Sequence, residues 1–98
     1  MILHDPKERL FFIANRDKNC LLCPNCMGLT PHHIVPRSHF GKKMKDLQDD
    51  ERNLILLCMD CHREAHTHAM RVKCLAILKE RYHYEYPEEK FRPYLEEA

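Results

Sequence analysis

The sequence predicts an α+β fold, a short antiparallel hairpin followed by a helix, with helical segments flanking it at both ends. Three observations predict it. Asn53 precedes Leu54-Ile55-Leu56-Leu57, an apolar run of strand length that suits a buried position. Thr30 to Val35 is a second short, partly apolar stretch, stopped by Pro36. From Asp60 to about His83 the pattern changes to three- and four-residue steps, with Ala65, Ala69, Val72, Ala76 and Leu75 or Lys79 in turn. A chain of 98 residues suits one domain, 1–98, and a core this small leans on metals or disulfides.

At the N-terminal end, Asp5-Pro6-Lys7-Glu8 reads as a helix start. Asp5 can cap, Pro6 suits the first helical position, and Glu8 can reach back as in a capping box. Leu10, Phe11 and Ala14 then supply an apolar stripe, giving a core-covering helix over 5–15. Cys20 to Cys26 is turn-like, and 37–50 is polar, holds Gly41 and shows no period, so a loop is expected there. Asp60 is the expected cap of the long helix. The tail 84–98 is acidic and contains Pro87 and Pro93. It is expected as a short helix or strap with a solvated face.

Six cysteines, Cys20, Cys23, Cys26, Cys58, Cys61 and Cys74, set the chemistry of the middle. The first residues have neither a basic n-region nor an apolar h-region, and no apolar run reaches membrane-spanning length. A soluble, cytoplasmic chain without a membrane partner is therefore expected. In a reducing compartment, paired Cys-x-x-Cys motifs read as zinc ligands before they read as disulfides. A closed zinc site of four cysteines takes two such knuckles. Cys58-Met59-Asp60-Cys61 is one. The other is either Cys20 with Cys23 or Cys23 with Cys26, because the two overlap. Cys20 and Cys23 are preferred, since they leave more chain in which to turn before His32. Cys74 falls on the apolar side of the helix, as a small core residue does.

Net charge is +1, which names no polyanionic partner. Arg37, Lys42, Lys43 and Lys45 nevertheless form a local basic tract without an acid. The imidazoles say more. His62 and His66 stand four apart on the expected helix, so both project from one face. His32 and His33 are neighbours on the expected strand and point to opposite faces, so one can bind a metal while the other meets a substrate. Zinc at the thiols would draw His32 toward His62 and His66.

The run His32-His33-Ile34-Val35-Pro36-Arg37-Ser38, followed by Asn53-Leu54-Ile55-Leu56-Leu57-Cys58-Met59-Asp60-Cys61-His62-Arg63-Glu64-Ala65-His66, resembles the HNH endonuclease motif. It is most similar to the zinc-knuckle HNH proteins of bacteria and phages. The resemblance covers about Arg16 to Ala69 and departs from many relatives in lacking two glycines soon after Pro36-Arg37-Ser38. It implies a ββα-metal (His-Me finger) domain with a four-cysteine structural zinc. It also implies roles: His33 as general base; His32, His62 and His66 as ligands of a catalytic divalent ion such as Mg²⁺, Mn²⁺, Ni²⁺ or Zn²⁺; and Asn53 as the residue that steadies the loop carrying the base. The partner so implied is DNA, cut by a monomer or a homodimer.

That assignment agrees with elementary site chemistry. Imidazole is a base suited to neutral pH. Three protein ligands with open positions suit a catalytic ion, whereas four thiolates make a closed structural site. Arg37 and Arg63 are candidates for phosphate contact. The competing reading is a non-catalytic zinc module that binds nucleic acid or protein, for which the same thiols would serve. Such a module has no need of His32, His33, Asn53, His62 and His66 together.

Overall fold

Asp5 opens the first helix, α1, over Pro6–Asp17, its carboxylate accepting from the Lys7 amide at 3.0 Å in a computed structural model that describes residues 1–95. The last three residues of the acidic tail lie outside the described residues. Strand β1 spans Thr30–His33 and β2 spans Leu54–Leu57. They pair antiparallel in the register Thr30 to Leu57 and His33 to Leu54. The expected hairpin with a long connection is therefore present, although β1 ends two residues before Val35.

All four residues of β2 are buried, and their alternation explains how. Leu54 and Leu56 join Leu3 and Ile13 in a small core under α1. Ile55 and Leu57 face a larger core with Ile34, Val35, Phe40, Leu75, Leu78 and Phe91. A two-stranded ribbon is marginal alone, so covering both faces is what makes it stable. Each buried leucine contributes about 1.5–3 kcal/mol.

Several expectations are corrected by the structure. The α1 stripe is rotated from the one expected: Leu10 is 45% and Phe11 73% exposed, while Ile13 and Asp17 are buried. The inward face carries charge because that charge is satisfied. Asp17 Oδ2 accepts the Leu56 amide at 2.9 Å and Oδ1 accepts the Tyr82 hydroxyl at 2.6 Å. Arg16 lies against the same carboxylate at 2.7 Å and donates to the Glu51 and Leu54 carbonyls. An apolar count cannot see such a pair.

The second correction concerns the long helix, which is broken in two. Helix α3 covers Met59–Glu64 and begins at Cys58, with Asp60 inside its first turn instead of capping it. The next helix starts afresh at Thr67, whose hydroxyl accepts from the Met70 amide at 3.2 Å, and runs His68–Tyr82. A helical period carries across such a break because Ala65 packs into the core at 0% exposure just before it. Naming the elements in chain order, the short helix Arg37–Phe40 is α2 and His68–Tyr82 is α4.

The expected loop 37–50 is largely structured, holding α2 and a 3-10 turn at Lys45–Asp49. The tail forms a strap with a 3-10 turn at Glu89–Tyr94 and Phe91 fully buried. Glu88 is clamped by two nitrogens of Arg52 at 2.8 Å each, so this part of the acidic tail is an anchored segment and not a purely solvated face. No helix among the described residues is long and apolar enough to cross a membrane.

Candidate metal centres and active-site cleft

At one end of the ribbon, Cys20 and Cys23 from the loop after α1 meet Cys58 at the end of β2 and Cys61 in the first turn of α3. Their sulfur atoms all lie within 4.8 Å of one another. Tetrahedral zinc–thiolate geometry calls for sulfurs about 3.8 Å apart, and the set fits it. Cys23 Sγ and Cys58 Sγ are 3.6 Å apart. The knuckle loop is tied to the strand by the Leu21 amide, which donates to the Leu56 carbonyl at 3.2 Å. A backbone hydrogen bond from Cys61 lowers the Cys58 thiol to about 7, while burial pushes Cys61 up. The four cysteines are thus positioned to bind a metal ion, consistent with a structural zinc. Cys26 is exposed and stands outside the cluster, which leaves Cys20-x-x-Cys23 as the first knuckle. Cys74 is buried in the core as expected.

A cleft of about 250 Å³ opens beside this end, lined by His32, His33, Arg37, His62, His66 and Arg71 together with Pro36. Strand β1 brings His32 in at 3% exposure. Its ring meets His62 at 4.5 Å and His66 at 5.3 Å between centroids, both edge-on, and His62 lies 6.0 Å from His66. His62 belongs to α3, but His66 sits in the turn after it, so the expected shared helical face is not how the two meet. The imidazole donors are more widely set than the thiols, which form the one group among the described residues with every donor atom inside 4.8 Å.

Burial disfavours the charged form of two of these rings, His32 and His62. His32 Nε2 is buried without a hydrogen-bond partner. An orphaned polar atom of this kind costs about 1–3 kcal/mol. Burial, then the neighbouring His62, His66 and Arg71, lower His32 to about 3. Burial also lowers His62. His62 Nδ1 lies 3.2 Å from Thr30 Oγ1, a contact that orients the ring and leaves Nε2 free. His32 thus brings a buried, unpartnered imidazole nitrogen to the cleft that His62 and His66 also line, and imidazole nitrogen is a donor that divalent ions accept.

His33 borders the same cleft, its Nε2 2.9 Å from Asp49 Oδ1. Burial lowers His33, against the opposing hydrogen bond from Asp49. Asn53 does not line the cleft. It is fully buried, its Oδ1 accepting the Val35 amide at 2.8 Å, and its Nδ2 donating to the Gln48 carbonyl at 3.0 Å and the Val35 carbonyl at 3.2 Å. It therefore acts on backbone, holding the segment after His33 against the segment before Asp49.

Of the two arginines singled out by sequence, Arg37 lines the cleft, whereas Arg63 turns onto Asp60 and does not. Sequence reasoning misses two residues. Arg71 donates to the Ile34 carbonyl at 3.0 Å and to the His66 carbonyl at 2.9 Å, pinning the turn that carries His66 to the end of β1. Asp49 is the other, hidden in the segment expected to be a polar loop. No local pattern marks either one, because the partners that tie them to the site, Ile34 for Arg71 and His33 for Asp49, are distant in the chain.

The HNH endonuclease family model matches residues 20–68, half of the chain. One curated relative, Protein RRP6-like 3 of Arabidopsis thaliana, is 32% identical over 82 residues. That match takes in 74% of this chain but only 9% of the relative's length. No solved structure matches.

Proposed function

The chain belongs to the HNH endonuclease family, and from that premise we propose that it is a metal-dependent endonuclease hydrolysing DNA phosphodiester bonds. The observation that carries this reading is the orphaned Nε2 of His32, whose ring packs edge-on against His62 and His66 in a cleft that also holds His33 and Arg37. His32, His62 and His66 would hold a divalent ion such as Mg²⁺, Mn²⁺, Ni²⁺ or Zn²⁺. When bound, that ion supplies charge stabilisation at a phosphate oxygen and the leaving oxygen. Cys20, Cys23, Cys58 and Cys61 would hold a separate zinc that serves the fold.

His33 takes a proton from a water molecule as the water oxygen attacks phosphorus. The bond from phosphorus to the 3′ oxygen breaks, the 3′ oxygen acquires a proton from solvent, and a 5′-phosphate remains. Arg37 binds a phosphate oxygen at the cleft mouth, where a guanidinium can offer two donors. Arg71 and Asn53 act on backbone, keeping His66 and His33 in place.

The test is conversion of supercoiled plasmid to nicked or linear forms with and without each divalent ion. Cleavage that needs an added ion, and falls by about 10²-fold or more in His33→Ala with zinc content unchanged, supports the reading. Plasmid binding without cleavage under every ion overturns it and leaves a zinc-held binding module.

A further inference from the structure

The structure assigns Asp49 as a positioning residue for His33, held in place by the N-terminal arm. This inference rests on the function proposed above, since it concerns the base of that reaction. Asp49 is 4% exposed and receives donors on both oxygens. Oδ1 takes His33 Nε2 at 2.9 Å and the Arg9 guanidinium at 2.9 Å. Oδ2 takes His4 Nδ1 at 3.0 Å and Gln48 Nε2 at 3.4 Å.

The contacts of Asp49 with Arg9 and with His33 together decide the tautomer of His33. A carboxylate beside a guanidinium is ionised and can only accept, so the ring proton of a neutral His33 stands on Nε2. Nδ1 is then bare, and it is the nitrogen left to receive a proton from water. Burial alone would raise Asp49, but the bonds from His33 and His4 and the charge of Arg9 outweigh it and keep it below the usual carboxylate range. A buried carboxylate fixing the tautomer and angle of a basic imidazole is a known route to orienting a general base.

Two of the partners of Asp49, His4 and Arg9, come from outside the matched residues 20–68. The Leu3 amide donates to the Asp49 carbonyl at 2.7 Å, and Glu51 bonds the first residue through both its amide and its side chain. Arg9 is braced by the Leu3 and His4 carbonyls at 3.0 Å each. Asn53 completes the frame by bonding Val35 and Gln48, the flanks of the pair. The arm before the knuckles is thus part of the active-site frame.

The experiment is ¹⁵N NMR of the histidine rings in the zinc-loaded full chain, joined to plasmid-cleavage kinetics. Wild type should show His33 as the Nε2–H tautomer, with that proton protected from exchange. In Asp49→Asn and Asp49→Ala the protection should be lost and kcat should fall about 10-fold or more, with KM within about twofold. A wild-type His33 protonated at Nδ1, or wild-type kcat in both variants with folded, zinc-loaded protein, overturns the assignment. If a variant fails to fold, the wild-type tautomer alone decides. Absence of cleavage in wild type would count against the proposed function and leave the tautomer result standing.

Discussion

The two donor clusters that flank the β1–β2 ribbon are built from different materials and held to different tolerances. Four sulfurs lie within 4.8 Å of one another at one end. Beside them, three imidazoles spread over centroid distances of 4.5 to 6.0 Å and border open space. A closed set of thiolates satisfies a tetrahedral ion completely and leaves nothing for a substrate. The imidazole set is open to solvent at the cleft and buries one nitrogen, His32 Nε2, without a partner. On the function proposed above, the same ribbon separates folding from chemistry by ligand type.

Breaking the thiol end should have the largest effect. Cys58→Ser, or zinc removal by a strong chelator, should cost about as much as the whole net stability of a small domain, roughly 5–15 kcal/mol. Loss of the folded far-UV circular dichroism signal at 25 °C checks this, and an unchanged melting curve would contradict it.

A smaller loss should follow from a buried carboxylate away from the cleft, Asp17. Asp17 and Asp49 are both buried beside an arginine, but Asp17 touches only structural groups. Asp17→Asn should lower urea-unfolding stability by about 3 kcal/mol, as breaking a buried pair does, because Arg16 is left without its counter-charge. Zinc content should stay the same. A change under about 0.5 kcal/mol would show that the pair is not what joins α1 to β2 and α4.

Much of this division is legible in the residues. The apolar run after Asn53, the stop at Pro36 and the knuckle at Cys58 and Cys61 each carry their signal locally, and the strands and thiol cluster appear where those signals stand. Cys20 in place of Cys26 is legible too, because a knuckle and the entry to a strand need chain length between them. Other features are not. The inward face of α1 depends on Arg16 and Asp17 finding partners in β2 and α4, long-range facts that an apolar stripe misstates. The restart at Thr67 hides inside an unbroken helical period. Asp49 reads as one acid among several in a polar segment until His4, Arg9 and His33 arrive from elsewhere in the chain.

The smallest expected effect on stability, within about 1.5 kcal/mol, belongs to His32→Ala, since the side chain it removes carries an unsatisfied buried nitrogen. The same variant gives the most direct test of the central claim. Calorimetric titration of the zinc-loaded chain with Mn²⁺ or Ni²⁺, with bound zinc measured before and after, separates the two centres. One zinc per chain should be retained in both proteins, and wild type should show a second, weaker site that His32→Ala abolishes. No second site in wild type, or a second site that survives His32→Ala unchanged, would contradict it.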